Sequence, residues 1–328
     1  MLRWGILSTA KIGIERVIPA ILDAENGIVA AIASRNKKNA QEVASRFAIP
    51  DAFGSYDELL ACNEIDAVYI ALPCAMHAEW AVKAANAGKH VLCEKPISLQ
   101  ADQIDLIIEA RDRNGVLVSE AFMVTYHPQW HKVRSLLKDG AIGKLRRVQA
   151  VFTYNNQDEH NVRNIADLGG GALHDIGVYP AVTTRFATGE EPQRVSASID
   201  RDKKFGTDIY ASAVVEFPGF ELSMMVSTQL ALRQEMSFHG DNGWISVAAP
   251  FNAGLYDADV VTLHSADHSS AQAFRFPGVN QYRLQVEAFA RAVADGEEAV
   301  FTLEDSKKNQ KLIDAIYRAG ESDQWKSV

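Results

Sequence analysis

The stretch Lys89-His90-Val91-Leu92-Cys93-Glu94-Lys95-Pro96 decides how the chain is organised. Its apolar run over 90–93 predicts a short strand, and helical patterns flank that strand on both sides. Ligands of an open parallel sheet bind outside the carboxyl ends of its strands. Because Lys95 follows the strand directly, we expect it to be a cation at the mouth of a ligand cleft.

The chain around this stretch alternates between strand and helix patterns. Such alternation predicts a doubly wound parallel sheet, so residues 1–121 are expected to form an α/β dinucleotide-binding Rossmann domain. The predicted strands cover residues 3–7, 28–33, 67–72, 90–93 and 116–121. The predicted helices cover residues 14–24, 37–47, 55–62, 76–87 and 101–114.

The second half of the chain is rich in strands separated by hairpin signals such as Pro218-Gly219 and Asp241-Asn242-Gly243. This pattern predicts a second α+β domain over 122–328 with a mostly antiparallel open sheet. Helices are expected over 128–137, 281–294 and 303–319, and the last of them could pack back on the first domain. Strands are expected over 145–154, 194–199, 209–217, 221–229, 234–239, 244–247 and 260–264.

The composition of the 328 residues excludes several classes of protein. A net charge of −9 argues against a nucleic-acid or anionic-membrane partner, which would need a basic face. The three cysteines form no CxxC pair and no Cys/His cluster, so no metal site is predicted. We see no signal peptide and no apolar run long enough for a membrane span, and we expect a cytoplasmic protein.

The turn after the first strand occupies the position of a dinucleotide fingerprint. It reads S-x-A-x-x-G from Ser8 to Gly13, with Ser8 and Ala10 in place of the first two glycines of G-x-G-x-x-G. Both replacements are small, so backbone N–H groups could still approach a pyrophosphate. A tight strand–helix turn without a ligand is the alternative. The cofactor contacts predicted here are Ser8, Thr9, Ala10, Lys11 and Ile12.

The end of the second strand predicts which dinucleotide binds. An NAD site usually presents Asp or Glu there, whereas this strand ends Ser34-Arg35-Asn36-Lys37-Lys38. Arg35 and Lys38 suit a 2′-phosphate by charge, and Arg also by its planar donor fork. We therefore expect contacts from Ser34, Arg35 and Lys38 and a preference for NADP(H), with NAD(H) possible. A solvated basic turn is the alternative.

A glycine-led helix in the second half carries an acid and a phenol. After Gly169 to Gly171 the helix pattern places Asp175 and Tyr179 four residues apart on one face. They are a candidate proton-transfer pair; a helix-dipole acid and a core aromatic are the alternative. A cation such as Lys95 within ~4–6 Å would favour the phenolate, and it could also stabilise a developing alkoxide.

Several motifs together resemble the Gfo/Idh/MocA family of oxidoreductases. Within that family the sequence is most similar to the branch of glucose–fructose oxidoreductase, NADP-dependent xylose dehydrogenase and dimeric dihydrodiol dehydrogenase. The motifs are the N-terminal turn, Leu72-Pro73 with His77, Cys93-Glu94-Lys95-Pro96, Glu120-Ala121-Phe122-Met123, His127-Pro128-Gln129 and Gly169–Pro180. Two positions depart from the pattern of this branch: Cys74 replaces an Asn, and Thr125 stands where Arg is frequent.

The resemblance implies roles for individual residues. Lys95 would be the electrostatic activator, Tyr179 the general acid/base, and Asp175 would orient the substrate or Lys95. Further cofactor contacts would come from Leu72, Pro73, His77 and Glu94. The substrate contacts would be Arg163, His127, Tyr126 and Asp175.

The sequence therefore predicts an NADP(H)-dependent oxidoreductase with its site in a cleft between the domains. It would transfer a hydride between nicotinamide and a hydroxyl or carbonyl carbon of a sugar, polyol or related diol. The alternatives are a non-enzymatic dinucleotide sensor on the same scaffold and a dihydrodiol-type dehydrogenase. Because the outer face of the C-terminal sheet needs cover, we also expect a homodimer or higher homo-oligomer through that sheet.

Overall fold

The computed structural model describes residues 1–297, 299–322 and 324–328. The chain divides into two compact units, and each of them contains two segments. The first unit comprises Met1–Met123 and Gln281–Lys307, and the second comprises Val124–Asn280 and Lys308–Val328. The segment 281–307 is thus grouped with the N-terminal residues.

The first unit contains a six-stranded parallel sheet, which confirms the predicted doubly wound fold. Its strands are β1 (Leu2–Leu7), β2 (Gly27–Ala33), β3 (Asp51–Phe53), β4 (Ala67–Ile70), β5 (His90–Cys93) and β6 (Val118–Glu120). Their order is β3-β2-β1-β4-β5-β6. The direction of winding changes between β1 and β4, and the carboxyl ends of strands at such a switch point form the ligand crevice of this fold.

The helices of this unit alternate with its strands. They are α1 (Ile18–Leu22), α2 (Lys37–Phe47), α3 (Tyr56–Leu60), α4 (His77–Asn86) and α5 (Gln103–Asn114). A capping box precedes α3: the Ser55 hydroxyl accepts from the Glu58 amide at 3.1 Å. The Glu58 carboxylate in return accepts from the amide of Gly54. Gly115 ends α5 in the left-handed region with a φ of 62°.

The second unit contains a nine-stranded sheet that is antiparallel except where β7 pairs with β10, as predicted. Its helices α6 (Pro128–Lys138) and α7 (Val178–Thr188) pack on the sheet, with Trp130 against Phe238 and Tyr179 against Phe152. The strands are β7 (Leu145–Asn155), β8 (Arg194–Arg201), β9 (Asp208–Phe217), β10 (Phe220–Ser227), β11 (Gln229–Gly240), β12 (Gly243–Val247), β13 (Val260–Ser265), β14 (Ala271–Arg275) and β15 (Lys326–Ser327). Their order is β14-β13-β12-β11-β7-β10-β9-β8-β15.

The outer face of this sheet carries a row of uncharged side chains. Residues that point inward on β9, β10 and β12 are buried, and the alternate residues are at least partly exposed. One in-register line of the exposed positions crosses eight strands, and we call it the central row. It consists of Ser196, Val214, Ser223, Gln149, Ser237, Ser246, Thr262 and Ala273.

Two helical segments contain a π-helical turn near their start, and a proline follows each turn. The first turn covers Gly13–Val17 and precedes Pro19; the second covers Leu173–Gly177 and precedes Pro180. A proline cannot donate to the carbonyl four residues earlier, so a regular α-helical ladder is interrupted at that point. The widened turn at Gly13–Val17 therefore interrupts the helix that was predicted over 14–24.

The last two helices are α8 (Gln281–Asp295) and α9 (Leu303–Gly320). Within the first unit, Phe289 of α8 packs on the indole of Trp4 with the ring centres 5.1 Å apart. Of the helices that the structure describes, none is both long and apolar enough to cross a membrane.

Candidate active site

A cavity of about 400 Å³ lies at the carboxyl ends of β1, β2 and β4. Seven of the predicted cofactor residues line it: Ser8, Thr9, Ala10, Ser34, Arg35, Leu72 and Pro73. The sequence reasoning missed five further lining residues, which are Asn36, Asn39, Tyr56, Ala71 and Met76. The motif positions therefore do converge on one cavity of the first unit.

Ser8 shapes the turn at the floor of this cavity. Its φ of 93° lies in the region that usually requires glycine, which explains why a glycine is common at this position. The Ser8 hydroxyl donates to the carbonyl of Ala71 at 2.6 Å and accepts from the amide of Ala10 at 3.2 Å. These two hydrogen bonds stabilise the turn although residue 8 is not a glycine. The cradle fits a dinucleotide, because the side chains on it are small and the helical residues begin at position 11.

Arg35 is the one charged residue among the described residues that line the cavity. Its guanidinium lies beside the phenol of Tyr56, whose pKa is raised by burial against the opposing effect of Arg35. Ser34, which precedes Arg35, accepts from the amide of Asn36 at 3.3 Å. The lining contains no carboxylate at the end of β2, where an NAD site would present one.

Lys11, Ile12 and Lys38, also predicted to contact the cofactor, are not lining residues of the cavity. Lys11 is 84% exposed and pairs with Glu15 at 3.8 Å, while Lys38 pairs with Glu42 at 4.0 Å. Their contact with a cofactor stays a prediction.

The turn that carries Lys95 is tied to the rest of the first unit by two buried side chains. His77 is 1% exposed, and its Nδ1 and Nε2 each lie 2.7 Å from a carbonyl oxygen, that of Pro96 and that of Leu72 respectively. Burial lowers the pKa of His77, and the charge of Lys95 adds to that effect. His77 thus bridges the cavity wall and the lysine turn.

The second buried side chain is Glu120, the last residue of β6. It is 3% exposed, and its Oε1 accepts from the amide of Ile97 at 2.9 Å. Burial raises the pKa of Glu120 to about 7, although Ser306, Ile97 and the charge of Lys95 lower it. Glu94, on the same turn as Lys95, accepts from the buried phenol of Tyr69 at 2.6 Å.

In the second unit, Asp175 is held by two donors on a single oxygen. Its Oδ2 accepts from Arg163 Nε at 2.8 Å and from the Tyr154 hydroxyl at 2.6 Å. Burial and the charge of Asp175 raise the pKa of Tyr154, so the phenol stays protonated and donates. The structure therefore brings together two of the predicted substrate residues, Arg163 and Asp175, and adds Tyr154 to them.

The glycine run before Asp175 is shaped by a buried carboxylate. Gly171 has a φ of 132°, and a Cβ there would lie 2.1 Å from Oδ1 of Asp208. Asp208 accepts from the Leu173 amide at 2.7 Å and from the Tyr317 hydroxyl at 2.8 Å. Only glycine fits at position 171, and Asp208 caps the helical segment that carries Asp175 and Tyr179.

Tyr179 lies in the second unit among aromatic side chains and is 6% exposed. Its ring centre is 5.7 Å from those of both Phe152 and Phe251. Asp175 and Tyr179 belong to one helical segment, whereas Lys95 belongs to the first unit. The predicted meeting of Lys95 with this pair stays a prediction.

His127 and Tyr126 are the remaining predicted substrate residues. His127 is fully buried, and its Nδ1 accepts from the amide of Gln129 at 3.2 Å, which caps α6. Burial lowers the pKa of His127 to about 4, so the ring is neutral. Tyr126 is 9% exposed. The structure gives His127 a capping role, and substrate contact by either residue stays a prediction.

No group of three or more potential metal ligands occurs among the described residues. The sequence reasoning overlooked Glu120 and Tyr154 as well as the cavity residues. A charged residue at the end of an apolar strand was the available signal for Glu120. Tyr154 gives no local signal, because its partner Asp175 is distant in the sequence.

Two family models match the chain. One, described as an oxidoreductase family with an NAD-binding Rossmann fold, matches residues 2–122, and one described as a GFO/IDH/MocA C-terminal domain matches residues 130–246. An uncharacterised oxidoreductase of Rhizobium meliloti is 43% identical and covers 100% of this chain and 99% of its own length. A D-xylose 1-dehydrogenase (NADP(+)) of Haloferax volcanii is 36% identical over 97% of each chain.

A solved structure with the same fold is a 3-ketoreductase from Actinomadura kijaniata in complex with NADP and TDP-benzene. It is 31% identical, covers 97% of each chain and superposes with a TM-score of 0.91. Variants of that reductase have also been solved, one with a tyrosine replaced by phenylalanine and others with a lysine replaced by alanine or glutamate.

Proposed function

The chain belongs to the Gfo/Idh/MocA family of oxidoreductases, and we propose that it is an NADP(H)-dependent enzyme that interconverts a hydroxyl and a carbonyl group on a sugar, polyol or related diol. The observation that carries the cofactor assignment is the cavity at the end of β2. Among the described residues that line this cavity, Arg35 is the charged one and none is acidic. A 2′-phosphate is stabilised by such a guanidinium, whereas an acid would repel it.

The substrate class follows from the polar side chains around Asp175 and from the relatives. The Haloferax volcanii relative is named for D-xylose, and the Actinomadura kijaniata structure is of a 3-ketoreductase with a TDP-bearing ligand. Arg163, Asp175 and Tyr154 form a hydrogen-bonded set that suits vicinal hydroxyl groups. We infer a sugar or polyol, free or bearing a nucleotide.

The proposed chemistry assigns a proton to residues of this chain. A bound nicotinamide would supply or accept the hydride. Tyr179 gives a proton to the substrate oxygen in reduction and removes it in oxidation, as a general acid or base. Lys95 supplies a positive charge that favours the phenolate and stabilises the oxygen as negative charge develops on it. Asp175, held by Arg163 and Tyr154, orients a substrate hydroxyl.

A panel of aldoses, polyols, trans-diols and nucleotide-linked keto sugars, each assayed with NADP(H) and NAD(H), tests this function. We expect turnover of at least one sugar or polyol with NADP(H). With that substrate, Lys95→Met and Tyr179→Phe should each lower kcat by about 100-fold or more. Lys83→Met and Tyr210→Phe are matched controls that should keep wild-type kcat. Cofactor binding without turnover over the whole panel would instead indicate a sensor.

We also propose that the protein forms a homodimer through the outer face of the C-terminal sheet. The central row presents uncharged side chains, most of them hydroxyl or small apolar groups, across eight strands. A sheet face without charges along its middle suits packing against a second copy of itself. Ser237→Arg with Ser246→Arg should convert the dimer to a monomer in sedimentation equilibrium. Ser269→Arg, on an exposed turn, is the control, and a wild-type monomer at micromolar concentration would refute the dimer.

The proposed compartment is the cytoplasm. Cys62 and Cys93 carry free thiols in the structure. Free thiols persist in a reducing compartment, and they therefore support this location.

A further inference from the structure

The end of β6 holds a buried carboxyl group that the proposed chemistry does not use. β5 and β6 are parallel neighbours, with Cys93 in register with Glu120. Lys95 follows Cys93 by two residues, so the lysine turn leaves the sheet beside Glu120. Isolated carboxylates are costly to bury, and a buried one is retained where a partner or a function compensates for that cost.

The carboxyl group of Glu120 is attached to the backbone of the lysine turn. Its Oε1 accepts from the amide of Ile97 at 2.9 Å, immediately after the Lys95–Pro96 pair. The hydroxyl of Ser306 is a further hydrogen-bond partner. On the other side of the same turn, His77 lies 2.7 Å from the carbonyl oxygen of Pro96. The turn is therefore held from both sides, by one acid and one imidazole.

The charged groups that act on Glu120 belong to the same turn. Lys95 stabilises the ionised form of Glu120, while Glu94 destabilises it. The charge of Glu120 also acts on the buried thiol of Cys93. Burial is the main cause of the raised pKa of Cys93, and Glu94 and Glu120 raise this pKa further. Ser306 contributes a neutral hydroxyl from α9. Lys95 is thus the cation among the groups that act on Glu120.

We propose that Glu120 is a positioning residue for Lys95: it fixes the backbone of the lysine turn at Ile97 and supplies the negative charge that holds the lysine ammonium in place. This inference rests on the proposed role of Lys95. Because the pKa of Glu120 is about 7, the negative charge appears near neutral pH. Positioning by Glu120 is therefore complete only above that pH.

Infrared difference titration of the carboxyl groups tests the pairing without turnover. The wild-type protein should show a buried carboxyl band that titrates near neutral pH, and Glu120→Gln should remove it. Lys95→Met should move the midpoint of that band upward by about half a unit or more, because the lysine charge lowers the pKa of Glu120. A midpoint that does not move in Lys95→Met would overturn the proposal.

Kinetics test the consequence for catalysis. Wild-type kcat should rise as the pH increases through neutrality. Glu120→Gln should lose this pH-dependent rise and lower kcat by about tenfold. The Kd of NADP(H) should change by less than about twofold. Ser306→Ala, which removes a donor to Glu120 and leaves Lys95 in place, should move the rise to higher pH. Glu109→Gln, at an exposed position on α5, is the control.

The outcomes separate this inference from the proposed function. If Lys95→Met kept wild-type kcat while the infrared midpoint still moved, the proposed role of Lys95 would fail and the pairing would stand. If Lys95→Met lost activity but Glu120→Gln kept the wild-type pH profile, the role of Glu120 would be wrong. Glu120→Gln retains an acceptor for the Ile97 amide, so the test does not depend on a variant that lacks this bond.

Discussion

Tyr154 donates its hydroxyl proton to Oδ2 of Asp175 at 2.6 Å. The same oxygen accepts from Arg163, so two donors fix the orientation of one carboxylate. A hydrogen bond to a charged group contributes about 1.5–3 kcal/mol. The proposed orientation of a substrate by Asp175 therefore depends on Arg163 and Tyr154, which hold the carboxylate in place.

Tyr154→Phe should lower kcat/KM by about tenfold, because Oδ2 of Asp175 loses the Tyr154 donor while the ring and its packing remain. Steady-state kinetics with the best substrate of the panel measure this loss. Tyr210→Phe, on β9 of the same sheet, should leave kcat/KM unchanged. Equal kinetics in Tyr154→Phe and wild type would show that Asp175 does not need this donor.

Arg35→Ala should raise the Kd of NADP(H) by about 10-fold to 100-fold and leave the Kd of NAD(H) nearly unchanged, because the guanidinium is proposed to contact the 2′-phosphate alone. Fluorescence titration of both reduced cofactors measures the two values. Lys83→Ala is the matched control, since Lys83 on α4 pairs with Glu79 and does not line the cavity. An equal loss of both cofactors in Arg35→Ala would contradict the assignment.

Gly171→Ala should destabilise the second unit by about 3 kcal/mol, because a side chain there combines an unfavourable φ with a clash against Asp208. Urea unfolding of both proteins measures the difference. Gly189→Ala separates the two effects: its φ is 73°, but a Cβ meets no atom within 4 Å. That control should cost only about 1 kcal/mol. A similar loss in both variants would mean that the contact with Asp208 relaxes.

Stability should fall in acid through His127. Burial lowers its pKa to about 4, whereas an unfolded chain has a histidine pKa of about 6.5. The unfolded state therefore binds the proton first, and the contribution of His127 is complete above pH 6.5 and lost as the pH falls toward 4. The total loss is about 3 kcal/mol.

His127→Asn checks this pH dependence, because asparagine can still cap α6 but does not titrate. The difference in free energy of unfolding between wild type and variant should shrink by about 3 kcal/mol between pH 7 and pH 4. A difference between wild type and His127→Asn that is constant with pH would rule out a neutral buried ring.

Glu120 acts on stability in the opposite direction. Its pKa is raised, so its protonation stabilises the folded state as the pH falls from about 7 toward 4.5.

The parts of the fold that follow from local patterns could be predicted from the sequence. The bounds of α2 and β5 agree with the prediction to the residue, because caps and apolar runs mark them. β3 was missed, because its three residues begin with an exposed Asp51 and carry no alternation. β14 was missed for a similar reason, since most of its side chains are exposed.

The candidate site divides in the same way. Ser8 and Arg35 could be predicted, because a motif position after a strand fixes where they lie. Tyr56 could not, because it comes to the cavity from the start of another helix. The raised pKa of Glu120 could not either, because it depends on burial. The pKa of an acid is a property of its surroundings, and those include Ser306 from the far end of the chain.

The π-helical turns have a consequence for how the chain tolerates length changes. A π-helical turn holds about one residue more than the α-helical turn it replaces. Deleting Glu15 would remove the additional residue of the first π-helical turn, and the segment before the deletion would then turn by about 100° relative to the segment after it. In the first segment, the additional residue sets the rotation of the loop at Ser8 about the helix axis relative to the buried side of α1. In the second segment, the additional residue sets the rotation of Asp175 relative to the buried side of α7.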